Sequence, residues 1–437
     1  MKNKKLFLSI FVIAALLLGA CSAASALTTP VRQVVSAVQA PAPRAISAPV
    51  QAATAAPSTN STTNSTSNTT AGLSIDAYQS VLENVYSQVG PSVVNIEVTS
   101  SSSLGNTQGN GQFQSPFGDG NGQFGFGNSA PTQQALGSGF VWDNQGHIVT
   151  NNHVVAGADQ IMVTFADGTT VQAKLVGADP NSDLAVIQVN VPASELHPVT
   201  LMDSSQVKVG QLAIAIGNPY GLSGTMTVGI VSALSRSLPV GLDNPNQTGP
   251  TYAIPDIIQT DASINPGNSG GVLVNDQGQL MGVTAAIQSN SGSNSGIGFV
   301  IPSNIVNKVI PSLIQTGKYQ HPYLGIAGTT LTPDLAQANN LPASQQGVLV
   351  MEVASGGPAA KAGIQGGASQ NSLNGQTTMP TGGDVITAVN GTPVTKFEDL
   401  SSYLFNNTKV GQAVTLTILR SGHQQSVQVT LGAQPTQ

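Results

Sequence analysis

Residues 265–285 read NPGNSGGVLVNDQGQLMGVTA, a glycine-rich turn around Ser269 that runs into two short apolar runs split by the turn signal NDQG. Asn, Pro, Gly and Ser are ordinary turn residues, each for its own backbone reason, so the turn by itself says nothing of chemistry. The residues after it are decisive. GNSGG satisfies G-x-S-x-G, the serine elbow of α/β-hydrolases, but that elbow demands a helix after the serine and a histidine late in the chain. Here a strand, a turn and another strand come after Ser269, and the late histidines, His321 and His423, fall in a separate C-terminal module. The stretch therefore calls for a β-rich surrounding.

Working outward, Gly137 to Pro302 is a dense series of short apolar runs separated by turns: GFVWD, HIVT, QIMVTF, TVQAKLVGA, LAVIQV, LAIAIG, GTMTVGIVSAL, GGVLVN, QLMGVTAA and GIGFVI. No long helical pattern interrupts them, and that density of strands predicts one or two antiparallel β-barrels. AYQSVLENVYSQVG before them has helical spacing and SVVNIEVTS alternates as a strand; NIVNKVIPSLIQT after them reads as a closing helix. Ser101 to about Leu136 is a Gly-, Gln-, Asn- and Phe-rich insertion, of a length that inside a compact domain is usually functional or disordered. From about His321 the pattern changes to strands (GVLVMEV, DVITAVNGTPV, AVTLTILR, SVQVTL) with two helices (PAAKAG, FEDLSSYLF), a small α+β sandwich. The expected divisions are 75–317 for the barrel domain and 320–434 for the sandwich.

A serine hydroxyl needs a base to take its proton and a third group to fix that base. His153 comes just after the apolar strand HIVT, where a turn would hold its imidazole at a barrel edge. His147, His197, His321 and His423 stand in polar turns and read as surface histidines. Asp183 opens the strand LAVIQV and is the candidate orienting carboxylate; Asp179, before a proline, is the weaker one. The order His153, Asp183, Ser269 is that of the chymotrypsin-type double barrel. In that arrangement a tetrahedral intermediate places negative charge where backbone amides just before and at the serine converge. Those of Gly267 and Ser269 are the expected donors, with Asn268 beside them.

Charged residues are only 8% of the 437, with 20 acidic against 14 basic. This excludes nucleic-acid binding through a basic face. No His/Cys/Asp cluster has metal-ligand spacing, so no metal or cofactor is implied. Residues 1–20 carry a basic start, MKNKK, and an apolar stretch too short to span a membrane comfortably, which is a targeting signal. LGAC resembles the bacterial lipobox, which implies cleavage before Cys21, the chain's one cysteine, and a lipid on its thiol. Residues 21–74, Ala/Pro-rich and then Ser/Thr/Asn-rich, have nothing to build a core and form the tether.

Taken together, GSGFVWDNQGHIVTNNHVV, DPNSDLAVIQV, IGNPYGLSGTMTVGIVSAL, QTDASINPGNSGGVLVNDQGQLMGV and GIGFVIP resemble the HtrA/Deg family of trypsin-like serine proteases, in that family's order and over roughly residues 76–434. The resemblance implies a mostly β protein, a chymotrypsin-like double barrel followed by an α+β PDZ domain, with His153, Asp183 and Ser269 as the triad. It implies that Ile216–Thr225 is the loop that shapes or disorders the active site, and that Gly296, Ile297, Gly298 and Phe299 line a pocket suited to small or aliphatic residues. Tyr323, Leu324, Gly325 and Ile326 correspond to the PDZ loop that holds a peptide's C-terminal carboxylate, with Leu400 and Leu404 completing the pocket. Residues 366–383 are an insertion in that domain. The implied protein is a lipid-anchored, ATP-independent endopeptidase acting on unfolded or misfolded envelope proteins, controlled by C-terminal peptides. The family's usual assembly is a trimer, with Tyr78 and Tyr86 as candidate contacts. A chaperone or adaptor with a silent barrel, and a protease confined to one regulatory signal, are the alternatives.

Overall fold

A computed structural model of the chain describes residues 75–101, 132–218, 224–240, 252–287, 296–367 and 381–435. The expected signal (1–20), Cys21 and the tether (21–74) lie outside the described residues. Helix α1 (Ile75–Val89) buries Val85 and Val89. Six strands come after it, β1 (Val93–Ser101), β2 (Thr132–Val141), β3 (His147–Thr150), β4 (Gln160–Thr164), β5 (Thr170–Asp179) and β6 (Leu184–Gln188), with the short helix α2 (Asn152–Val155) between β3 and β4. A second six are β7 (Leu212–Gly217), β8 (Thr225–Val240), β9 (Tyr252–Thr260), β10 (Val272–Val274), β11 (Leu280–Ile287) and β12 (Gly298–Pro302). Each set closes into a barrel, in the orders β1-β2-β3-β6-β5-β4 and β10-β11-β12-β9-β8-β7.

The near-continuous apolar runs have a simple cause. Successive side chains of a strand point to opposite faces, and several of these strands are buried on both. In β6, Ala185 and Ile187 fill the first barrel, while Leu184 and Val186 face a seam shared with the second. In β7, Ala213 and Ala215 line the second barrel and Ile214 and Ile216 join the same seam. Helix α3 (Ser303–Thr316) seals the seam with Ile305, Val306, Val309, Ile310 and Leu313. It stops at Gly317, whose left-handed φ of 75° allows its amide to reach the Leu313 carbonyl at 2.9 Å.

Strand β9 was not among the runs read from the sequence. Pro255 removes a ladder donor, Asp256 has a φ of 58°, and the pairing with β8 shifts register three times. A bulged strand loses its period-two signature. The insertion is also shorter than expected. β1 and β2 stay paired out to Ser101 and Thr132, so Gln133 to Leu136 are strand, while 102–131 lie outside the described residues.

The C-terminal module comprises β13 (Pro322–Tyr323), β14 (Ile326–Thr330), α4 (Pro333–Ala338), β15 (Val348–Val353), α5 (Pro358–Lys361), β16 (Val385–Val389), β17 (Thr392–Pro393), α6 (Phe397–Asn407), β18 (Ala413–Arg420), β19 (His423–Thr430) and β20 (Gly432–Ala433). Its main sheet runs β14-β15-β16-β18-β19, with β17 beside β16. β13 pairs with β20, tying the module's start to its end. The 366–383 insertion leaves and returns at one point, since a Cβ on Gly383 would lie 2.8 Å from the Gly367 amide nitrogen. Its residues 368–380 lie outside the described residues.

Candidate active site

The first barrel supplies a histidine and a carboxylate already locked together. β3 ends at Thr150, and His153 stands on the first turn of α2. Asp183 accepts from His153 Nδ1 at 2.8 Å through Oδ2 and at 3.0 Å through Oδ1. Oδ1 also accepts the His153 amide at 3.0 Å. The Asp183 carbonyl is held in turn by Asn151 Nδ2 at 2.9 Å and the Asn152 amide at 3.1 Å. Asp183 itself has a φ of 52°. A non-glycine residue in that region costs about 1–3 kcal/mol, and it persists only where its surroundings over-determine it. The hydrogen bonds to residues 151–153 do so here. With both carboxylate oxygens aimed at Nδ1, the proton of a neutral imidazole resides on Nδ1 and Nε2 is left as the acceptor.

The second barrel supplies the serine on a doubled turn. The Asn268 amide donates to the Asn265 carbonyl at 2.9 Å and the Gly271 amide to the Asn268 carbonyl at 2.9 Å. The third residue of each turn, Gly267 and Gly270, has φ of 95° and 86°, the type II geometry that favours glycine. Strand β11 clamps the pair, with Gly270 donating to Thr284 O at 2.8 Å and Thr284 Oγ1 donating to Asn268 O at 2.5 Å. Ser269 Oγ donates to the Ala285 carbonyl at 3.2 Å. The sequence expectation for Asn268 needs correction: its amide closes the first turn and is not available to an oxyanion. Among the described residues, no protein group accepts from the amides of Gly267 and Ser269.

Contact between the barrels links the segments that carry the two halves. The Ser138 amide of β2 donates to Ser269 O at 2.8 Å, and Thr150 Oγ1, three residues before His153, donates to Ser138 O at 2.7 Å. A side chain on Gly270 would meet these same atoms, its Cβ 2.1 Å from Ser138 O and 2.4 Å from Thr150 Oγ1. Gly270→Ala should therefore destabilise the chain by about 2–4 kcal/mol and suppress activity, read as a lowered unfolding midpoint in denaturant.

Gly296 (φ 81°) precedes β12. Gly298 pairs with Thr260 of β9, and its absent side chain leaves room for Ile264, whose Cγ1 would lie 2.7 Å from a Cβ there. Ile297 and Phe299 are half-buried. Ile264 is an apolar neighbour that the sequence reading did not single out, hidden in DASIN just upstream of the serine turn.

A trypsin-like peptidase domain model matches residues 137–283 and a PDZ domain model matches 322–431. The periplasmic serine endoprotease DegP of Escherichia coli K12 is 40% identical over 363 residues, 79% of this chain and 70% of DegP. The chain belongs to the HtrA/Deg family of serine proteases. Another family member, the chloroplastic Protease Do-like 1 of Arabidopsis thaliana, is 44% identical over 69% of this chain, which spans 64% of that relative's length. Among solved structures, the HtrA-type protease AlgW with tripeptide superposes with a TM-score of 0.61 at 32% identity, covering 81% of this chain and 98% of that one.

In this HtrA/Deg chain the sandwich brings Tyr323, Leu324, Gly325 and Ile326 to one wall of an apolar groove, with Leu400 and Leu404 on α6 opposite. Gly325 has a φ of 81°. Its carbonyl accepts from Ala354 N, and the Leu324 carbonyl from Ala359 N, both at 2.9 Å. Leu324 and Leu400 are also core residues, 3% and 2% exposed. Ala253 of β9 reaches the same groove, so the barrel domain contributes to its lining.

Polar contacts among the described residues join the two domains. Asp256 Oδ2 accepts from Ser402 Oγ at 2.8 Å and Asn406 Nδ2 at 2.7 Å. Lys308 donates to the carbonyls of Phe405 and Asn406 at the end of α6, and burial holds its pKa below the ordinary lysine value. His321 Nε2 lies 2.7 Å from Asp179 Oδ2, a pair 1% and 3% exposed. Two histidines expected at the surface are thus buried against carboxylates: His321, and His147, whose Nδ1 is 2.7 Å from Asp143 Oδ2. Asp179 also accepts from Ser182 Oγ at 2.5 Å, so the weaker carboxylate candidate braces the turn leading to Asp183. Tyr86, 38% exposed, donates to the Gly224 carbonyl at 2.7 Å.

Proposed function

We propose that the chain is an ATP-independent serine endopeptidase that cleaves unfolded or misfolded proteins of the bacterial cell envelope. Residues 75–317 form the protease domain and 320–434 the PDZ domain. The observation that carries this reading is the clamped His153–Asp183 pair joined through Ser138 and Thr150 to a serine turn, two of whose amides no group among the described residues claims. His153 Nε2 takes the Ser269 Oγ proton as Oγ bonds to the scissile carbonyl carbon, and the amides of Gly267 and Ser269 donate to the oxygen that becomes negative. The imidazolium then protonates the leaving amine, the C–N bond breaks, and water repeats the sequence to release the acyl group. Ile264 beside Gly298 favours small or aliphatic residues at the cleaved bond.

The PDZ groove takes the C-terminus of a peptide, its carboxylate at residues 323–326 and its last apolar side chain between Leu324 and Leu404. DegP and its relative DegQ of Escherichia coli are named as periplasmic, which supports an extracytoplasmic site for this chain. Residues 1–20 serve as a lipoprotein-type signal, Cys21 carries the lipid and 21–74 tether the enzyme to the membrane. The working form is a homotrimer or larger assembly.

The test is labelling by a fluorophosphonate together with cleavage of an unfolded protein, with and without ATP and an apolar C-terminal peptide. The expected result is a single adduct mapped by mass spectrometry to Ser269 and cleavage indifferent to ATP. Cleavage with no adduct on Ser269 would overturn the assignment; suppressed aggregation without cleavage would favour a chaperone. Cys21→Ser should move the protein from the membrane to the soluble fraction, and unchanged retention would refute the lipid.

A further inference from the structure

Ser138 lies in the first barrel, flanked by Gly137 and Gly139, and is 0% exposed. Neither flank has room for a side chain. A Cβ on Gly137 would lie 2.5 Å from Val154 Cγ1, and one on Gly139 2.8 Å from both Ile148 and Ile96. This close packing thrusts β2 against the serine turn of the second barrel. Every polar atom of Ser138 is then engaged, its amide and hydroxyl on backbone and its carbonyl on a side chain. Its amide donates to Ser269 O at 2.8 Å. Its hydroxyl donates to Gly267 O at 2.6 Å and accepts from the Asn218 amide at 2.8 Å. Its carbonyl accepts from Thr150 Oγ1 at 2.7 Å.

Two of these bonds hold the carbonyls of Gly267 and Ser269, the residues whose own amides are the oxyanion donors. A peptide group is planar, and glycine at position 267 has no side chain to limit its torsions. With Gly267 O held by Ser138 Oγ, the 267–268 peptide is fixed on one side; with Ser269 O held by the Ser138 amide, the 269–270 peptide is fixed on the other. The amide of Ser269 lies between them. The hydroxyl also ties the turn to Asn218, the residue after β7, whose Oδ1 accepts the Gly224 amide at 2.5 Å. Seating of Asn218 and seating of the oxyanion turn thus share one oxygen atom.

We propose that Ser138 is a positioning residue for the oxyanion donors, its hydroxyl holding the Gly267 carbonyl so that the amides around Ser269 are fixed before substrate arrives. The proposal rests on the reading of Ser269 as nucleophile, and the two are separable. If the parent hydrolyses peptide and is labelled on Ser269, that reading stands whatever Ser138 does.

The experiment is Ser138→Ala in the full chain, with steady-state kinetics on a peptide substrate and inhibition by a peptide aldehyde, which forms an oxyanion on the serine. An oxyanion defect predicts a fall in kcat of about a hundred-fold, the order of losing one donor. It also predicts KM within about threefold, since the interaction is made in the transition state alone. Aldehyde affinity should fall by the same factor as kcat. Ser138→Cys, which keeps a weaker donor at the same position, should fall between parent and alanine variant in both quantities; it replaces the alanine variant if that one does not fold. A purely structural role would lower the unfolding temperature and leave both quantities within about threefold of the parent, and that result would overturn the proposal. A loss of kcat without a matching loss of aldehyde affinity would overturn it too.

Discussion

Replacing Ser269 with alanine should lower turnover of an unfolded protein by about a million-fold, the usual loss when a triad serine is removed. The change deletes one oxygen, which donates to the Ala285 carbonyl at 3.2 Å. The turns around it are held by backbone bonds at Asn265, Asn268, Thr284 and Ser138, which alanine preserves. Stability should therefore move little, and affinity for an unfolded substrate should stay near that of the parent. Side-by-side digestion and equilibrium binding check this. An alanine variant that cleaves as fast as the parent would remove Ser269 from the chemistry altogether.

Asp183→Asn should lower kcat by about ten-thousand-fold, and the hydrogen bonds say why. Asp183 Oδ1 accepts the His153 amide at 3.0 Å, a place only an acceptor can fill. The asparagine variant must therefore put its carbonyl oxygen there and turn its NH2 toward Nδ1. That nitrogen then has to accept, the imidazole proton moves to Nε2, and the atom that should take the serine's proton already carries one. The fold should survive, because the Asp183 carbonyl keeps its bonds to Asn151 and Asn152. Cleavage rates and imidazole NMR on the same samples test both parts. A variant within tenfold of the parent would show that the carboxylate is not what orients His153.

The elements that position this site were legible because their signals are local. Strands buried on two faces read as short apolar runs, and Gly267 and Gly270 stand where a doubled turn needs positive φ. What was hidden depends on residues far away in sequence. His321 stands in KYQHPY, a polar stretch, and is buried only because Asp179, 142 residues upstream, meets it across the domain boundary. The Asn268 amide looked free because turn closure by Asn265 is a matter of conformation, not composition. β9 was concealed by Pro255 and by the reversed φ of Asp256, and Ile264 had no feature to distinguish it from other aliphatic residues.

Across the seam between the barrels, His153 and Asp183 are carried by one closed sheet and Ser269 by the other, and each sheet has an interior of its own. A small slide of one barrel over the other would leave both interiors dry while shifting Ser269 relative to His153. An ångström of misplacement is enough to cost a reaction about a hundred-fold. Catalysis in this molecule is therefore a gauge of alignment rather than of folding, and mild denaturant should silence it while the circular dichroism of both barrels still reports an intact protein.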